Sequence, residues 1–235
     1  MLRRPTHRQK VAIFDIDGTI GRGSLLIYML DGLINAGLIS EVARKEFKRD
    51  HKKWLDRKGL YDEYIRAVTR TFMKHIKGVY YGDFVEIAKK SVLAHKDHIY
   101  LYTKNLMVSL KKDGYYLLAI SQSPKTIVDF FCENLGFDKV YGRIYEIGPQ
   151  DRLTGEMVDV HLISNKANIV RRAVQKENLT LKESVGVGDT EDDIPFLEMV
   201  ETPICFNPNK KLHKHAVRMG WKIVVERKDM IYEIK

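Results

Sequence analysis

Five short, uninterrupted apolar runs constrain the fold of this chain more than any other feature, and most of them stop abruptly at a polar residue. VAIF (11–14) meets Asp15, YYLLAI (115–120) meets Ser121, SVGVG (184–188) meets Asp189, TPICF (202–206) meets Asn207, and KIVVE (222–226) closes the series. A strand with one wet face alternates apolar and polar side chains. A strand covered on both faces reads as a continuous run, and sheets of such strands are parallel and flanked by helices. Helix-like stretches lie between the runs. Residues 125–135 repeat apolar positions at helical spacing and stop at Gly136, and 165–174 and 194–199 read similarly. The alternation predicts an α/β fold built on a doubly wound parallel sheet.

Residues 21–98 break the alternation. They contain no β-rich run and no Pro, and apolar residues recur at three-to-four spacing (Leu60, Tyr64, Val68, Phe72, Ile76), which predicts a helical insert after the first strand. The expected domains are a core made of 1–20 and 99–235 and a helical domain of 21–98. A second irregularity covers 140–160, where Gly142, Gly148-Pro149 and Thr154-Gly155 punctuate short apolar pairs and predict a β-hairpin excursion.

Charge has to be located before it is read. The 40 Lys+Arg against 31 Asp+Glu give a formal net charge of +9, which invites a polyanionic partner. Residues 1–10 carry Arg3, Arg4, Arg8 and Lys10 with no acid; 21–95 carry 15 basic against 9 acidic residues; the remainder carries 21 and 22. The excess is confined to a tail and the insert, so no nucleic-acid partner is expected. Within the insert, 41–58 holds eight Lys/Arg and four acids and reads as a solvated helix face with i,i+4 pairs. No secretory apolar segment follows the basic start, and no run approaches the roughly 20 apolar residues of a membrane span, so a cytoplasmic protein is expected. Cys132 and Cys205 stand in apolar contexts without metal-ligand spacing and read as small core residues.

Chemistry concentrates where the runs end. Asp15-Ile16-Asp17-Gly18-Thr19 follows the first run. Period-two geometry puts Asp15 and Asp17 on one side at the carboxyl end of a strand, where open α/β sheets bind ligands, and Gly18 permits a sharp turn whose amides face an anion. Two carboxylates that close need a cation or a shared proton. A plain Asp-Gly turn would look similar, whereas an EF-hand loop is excluded because no ligand ladder or closing Glu comes after it. The second acidic cluster, 188–193 (GDTEDD), holds four carboxylates in five residues. They suit a hard cation such as Mg²⁺, and equally a helix start capped by Thr190. Ser121 places a hydroxyl at a strand-to-helix turn, and Lys166 opens a helix where its ammonium can neutralise a phosphoryl group. An ordinary cap and a solvated Lys would read the same way singly.

Together these segments resemble the haloacid dehalogenase superfamily of phosphohydrolases: DIDGT at 15–19, the strand ending in Ser121, Lys166 ahead of a helix, and GDTEDD at 188–193, in the family's order. The insert after the first motif is similar to the helical cap of the subgroup containing phosphoserine phosphatase. The resemblance implies a Mg²⁺-dependent phosphatase in which Asp15 is the nucleophile and Asp17 the general acid and base. It implies Mg²⁺ held by Asp15, the backbone carbonyl of Asp17 and Asp189, with Asp193 beside them, and a phosphate-binding set of Gly18, Thr19, Ser121, Gln122 and Lys166.

The chain also departs from the pattern. Ser24 stands where a Glu of phosphoserine phosphatases reads the substrate ammonium, and Asp192 where Asn is common. No cap Arg aligns, although Arg66 and Arg70 lie one turn apart. These four residues are the candidates for substrate contact, and phosphoserine is disfavoured. The expected partner is a small phosphorylated metabolite. The alternatives are a phosphotransferase using the same intermediate and a non-enzymatic nucleic-acid-binding protein.

Overall fold

In the computed structural model, which describes residues 8–234, the first apolar run is β1 (Gln9–Asp15). Four helices come next: α1 (Leu25–Asn35), α2 (Ala43–Leu55), α3 (Tyr61–His75) and α4 (Tyr81–His95). The chain returns through α5 (Leu101–Lys112), β2 (Tyr116–Pro124), α6 (Lys125–Cys132), β3 (Lys139–Ile147) and β4 (Leu153–Val158). Then come α7 (Val160–Ile163), α8 (Lys166–Lys176), β5 (Leu179–Gly188), α9 (Ile194–Leu197), β6 (Thr202–Phe206), α10 (Lys210–Met219), β7 (Lys222–Arg227) and β8 (Met230–Ile234). The strands form one eight-stranded sheet in the order β4-β3-β2-β1-β5-β6-β7-β8, parallel except for the antiparallel outer pairs β3–β4 and β7–β8. Arg3 and Arg4 of the basic tail lie outside the described residues.

β1 shows why the run is continuous. Successive side chains leave a strand on opposite faces. Val11 and Ile13 pack with Ile169 and Val170 of α8 and Leu212 of α10, whereas Ala12 and Phe14 pack with Met107 of α5, Ile127 of α6 and the insert helices. All four β1 residues are fully buried, so each face needs an apolar residue. At about 25 cal/mol per Å² of apolar surface, such central positions are among the largest single contributors to stability.

The helical insert shares one of these two cores. Phe72 of α3 meets Phe84 of α4 and Tyr145 of β3 at ring-centroid separations of 6.3 and 5.5 Å. The hairpin predicted for 140–160 exists, but β3 also pairs in parallel with β2 and so belongs to the main sheet. Its far strand is tied to the insert by Gly78 N donating to the Leu153 carbonyl at 2.8 Å and Leu153 N to the Val79 carbonyl at 2.9 Å. The stretch 41–58 is a solvated face: Lys52 pairs with Asp56 at 3.0 Å, and Arg44 with Glu41 at 2.9 Å. Helix 125–135 ends earlier than its pattern predicts, at Cys132, and α9 stops at Leu197; α5 and β8 were not foreseen. Both cysteines are free and buried. No helix among the described residues is long and apolar enough to cross a membrane.

The two ends of the insert are closed by a Gly21–Ile99 bridge and by Arg22 N donating to the His98 carbonyl at 2.8 Å. Beneath them the largely buried Glu226 of β7 accepts from Arg22 Nη2 at 2.6 Å, Tyr102 N at 2.8 Å and Leu101 N at 3.2 Å, so a remote carboxylate caps α5. Glu226→Ala orphans the two α5 amides, and because Arg22 is partly exposed the expected loss is about 2–3 kcal/mol. Urea unfolding checks it against Val217→Ala, an exposed site expected to change stability by less than about 0.5 kcal/mol.

Candidate active site

Register gathers the site. Asp15 pairs with Ile120 of β2 and Phe14 with Val187 of β5, so Ser121 and Asp189 emerge on either side of the end of β1. The turn after β1 folds back on itself, with Ile20 N and Gly21 N donating to the Ile16 carbonyl at 3.0 and 2.9 Å. Gly18 occupies it at φ +81°, and a Cβ there would lie 2.1 Å from Asp189 Oδ2. Only glycine tolerates both the backbone conformation and the approach. Thr19 is fully buried, its carbonyl accepting from Thr103 Oγ1 at 2.8 Å, and it does not reach the cavity.

Lys166, the first residue of α8, extends a buried side chain into the centre of the acids. Its Nζ donates to Asp15 Oδ1 and Asp193 Oδ1, both at 2.5 Å. Asn165 caps the helix by accepting from Ala167 N at 2.9 Å, which fixes where the lysine starts. The other oxygen of Asp193 accepts from the amides of Asp189 and Thr190, each at 3.0 Å. Asp193 therefore closes the turn, in keeping with the helix-start reading of the acidic cluster, and also orients the lysine.

Asp17 faces the same cavity from the turn. Its Oδ2 accepts from Ser121 Oγ at 2.5 Å; its Oδ1 accepts from Ser123 Oγ at 2.9 Å and from Leu25 N at 2.5 Å. Ser123 Oγ in turn accepts from Leu26 N at 2.9 Å. The Ser121 hydroxyl expected to meet phosphate is thus fully buried and committed to Asp17.

Burial sets the electrostatics. Desolvation pushes Asp15 up to about 7, Lys166 opposing this and Asp193 and Asp17 adding to it. Asp189 is also raised, by desolvation first and then by Asp15 and Asp193. For Lys166 desolvation works against the charge, but the two carboxylates overcome it and raise the value. One ammonium among four carboxylates leaves an uncompensated negative charge. Asp15 Oδ2 is moreover buried without a hydrogen-bond partner. Oxygens of Asp15, Asp189 and Asp193 lie within 4.8 Å of one another. These hard, anionic donors fit a divalent cation such as Mg²⁺, with Asp15 and Asp189 offering oxygens and Asp193 already engaged by Lys166 and amides.

The cavity, of about 100 Å³, is bounded by both the sheet and the insert. Ser24, Gln122 and Asp192 line it as anticipated, Asp192 being the most exposed of the three. Arg66 and Arg70 do not line it. The stripe Tyr64, Val68 and Phe72 of α3 is buried in the core, and the adjoining stripe Tyr61, Ile65 and Thr69 faces the cavity, which turns both arginines to solvent. Arg66 instead pairs with Asp62 at 2.9 Å. Burial, then the charges of Asp189 and Asp17, hold the Tyr61 hydroxyl far above the usual phenol range, which marks how closely α3 covers the acids. Ser123 and Arg143 are cavity residues that sequence reasoning missed. The two-residue spacing of Ser121 and Ser123 was a visible signal for the first; Arg143 had none.

A model of haloacid dehalogenase-like hydrolases matches residues 12–198. The chain belongs to that family. Its relatives among haloacid dehalogenase-like hydrolases include a phosphoserine phosphatase of Mycobacterium tuberculosis, 24% identical over 227 residues covering 93% of this chain and 71% of the relative. A histidinol-phosphatase of Neisseria meningitidis is 24% identical over 225 residues, 92% of this chain and 98% of the relative. Among solved structures, a protein of unknown function from Bordetella pertussis has a TM-score of 0.68 at 18% identity, covering 92% of this chain and 98% of that one. A phospho-aspartyl intermediate analogue of phosphoserine phosphatase has a TM-score of 0.63 at 20% identity, with 95% and 96% covered. The α/β sheet and the helical insert are thus a shared fold.

If the orphaned Asp15 oxygen and Asp189 hold the cation, Mg²⁺ stabilises the folded chain. A concentration of about 100 times the dissociation constant is worth about 2.7 kcal/mol. The melting temperature is expected to rise with Mg²⁺ in the wild type and to respond far less in Asp189→Asn. A wild-type melting curve indifferent to Mg²⁺ contradicts the assignment.

Proposed function

We propose that this hydrolase, a phosphatase like its relatives, cleaves a small phosphorylated metabolite in two steps through an aspartyl-phosphate on Asp15. The observation that carries the reading is Lys166 held between Asp15 and Asp193 in the one cavity that Asp17 also lines. A carboxylate attacks a phosphate dianion only where their mutual repulsion is cancelled, and a buried ammonium at hydrogen-bond distance from the attacking group does part of this.

In the first step an Asp15 oxygen bonds to phosphorus, the ester P–O bond breaks, and Asp17 gives its proton to the leaving oxygen. In the second, Asp17 takes a proton from water as the water oxygen attacks phosphorus, the Asp15–phosphorus bond breaks, and inorganic phosphate leaves. Ser121 and Ser123 keep Asp17 aimed at the cavity through both steps, since each donates to a different oxygen of its carboxylate. Mg²⁺, held by Asp15, Asp189 and the Asp17 carbonyl, screens the phosphate charge from the attacking carboxylate when bound. Helices α1–α4 act as a cap, with Tyr61, Ile65 and Thr69 excluding bulk water from the intermediate.

The relatives are named for different substrates, phosphoserine and histidinol phosphate, so the phosphoryl chemistry rather than the leaving alcohol is the part this chain is expected to share. Ser24, a neutral hydroxyl in place of a carboxylate that would read an ammonium, keeps phosphoserine disfavoured.

Asp15→Asn tests the mechanism. Hydrolysis of p-nitrophenyl phosphate in the presence of Mg²⁺ is expected to fall by more than about a thousandfold, since an amide cannot form the acyl phosphate. The circular dichroism spectrum should stay that of the wild type. Turnover at the wild-type rate in the folded variant would sink the mechanism.

A further inference from the structure

Arg143 is a half-buried guanidinium that reaches the catalytic cavity from the sheet. Its place is built into the backbone. Gly142 lets β3 run against the start of α6, where a Cβ would lie 2.7 Å from the Lys125 Cα, and Arg143 takes the register position opposite Pro124. That brings its side chain beside Gln122, whose Oε1 accepts from Arg143 Nη2 at 2.5 Å. Among the described residues no carboxylate pairs with Arg143.

Of the other charges at the cavity, Lys166, Glu191 and Asp62 are already answered, whereas Asp189 and Asp192 form no ion pair among the described residues. Lys166 is bound to Asp15 and Asp193. Glu191 is held by Asn209 Nδ2 and by Lys211 Nζ at 2.6 Å, and Asp62 by Arg66. A guanidinium carries five N–H donors in a rigid fork, and a neutral amide oxygen satisfies only one of them. Gln122, with its oxygen turned to Arg143, has its own NH₂ left as a further donor. A half-buried cation without a counter-charge, flanked by an amide donor and open to the substrate, is a receptor for an anion.

We propose that Arg143, supported by Gln122, binds a second anionic group on the leaving-group portion of the substrate, a carboxylate rather than a neutral polyol or an amine. The inference rests on the phosphatase reading of the same cavity and assigns the substrate class as phosphate monoesters of small hydroxy acids. A planar carboxylate fits the fork bidentately and supplies the charge that no residue provides. An amine would meet an uncompensated positive charge instead.

The test compares the wild type and Arg143→Met on two esters of similar size, 3-phosphoglycerate and glycerol 3-phosphate, with Mg²⁺. The readout is the ratio of their kcat/KM values, in which the fraction of folded enzyme cancels. The wild type is expected to favour the carboxylate, and the variant to lose roughly 10–100-fold of that ratio, the worth of one or two charge-assisted hydrogen bonds. Arg143→Lys keeps the charge and loses the fork, so its ratio falls between the two, and it carries the test if the Met variant does not fold. An unchanged ratio overturns the proposal, including the case where both esters lose activity equally because Arg143 serves the transferred phosphate or the fold. A wild type that prefers the glycerol ester also overturns it. Failure of the wild type on every phosphate ester, p-nitrophenyl phosphate included, would instead remove the phosphatase reading itself.

Discussion

Burying several carboxylates within reach of one another is the constraint on which the catalytic end of this molecule depends. Even after relaxation, each buried ion costs several kcal/mol in lost hydration. The chain offsets this with Lys166 between Asp15 and Asp193, with the amides of Asp189 and Thr190 on Asp193, and with two hydroxyls and an amide on Asp17. One oxygen of Asp15 is left with nothing. The arrangement is incomplete at the oxygen that Asp15 can offer to a cation. A fold that satisfied Asp15 fully would be more stable and would leave no free oxygen there for a cation or a substrate.

Much of this was legible in the residues, and the legible part has a common physical source. Continuous runs such as VAIF identify strands buried on both faces, and residues just past the carboxyl end of such a strand lie where ligands bind, so Asp15, Asp17 and Asp189 could each be placed at that end of the sheet, and the family resemblance brought them together. The structure brings Lys166 to the same place. The less legible elements are those whose pattern is set by a partner. β3 carries a Gly and is only partly buried, so its sequence shows neither a continuous apolar run nor a clean alternation. β8 is an exposed edge strand with no buried face to mark it. Arg66 and Arg70 looked suitable because helical spacing shows which residues share a face of α3, but not which of its apolar stripes turns to the core and which to the cavity. Arg143 depends on a register between two strands, which no local pattern encodes.

The connection between chemistry and cap runs through main-chain amides. α1, the first helix of the insert, begins with Leu25 N donating to Asp17 and Leu26 N donating to Ser123. Asp17 and the start of the insert therefore hold each other. At a helix N-terminus the unpaired amides and the dipole favour a carboxylate, so Asp17 anchors the start of α1.

The two ends of the cavity rest on different kinds of specification. At the phosphoryl end, positions derive from the pairing of β1 with β2 and β5 and from one helix start, so they are set by backbone hydrogen bonds that any apolar strand sequence can make. At the other end, the walls come from side chains of α3, the Gln122 turn and β3. A chain about a quarter identical to its relatives can therefore keep the first end while altering the second. Net charge obeys the same division. The excess of basic residues lies largely in the insert, whereas the two cations that line the cavity, Lys166 and Arg143, are put in place by a helix start and by the sheet.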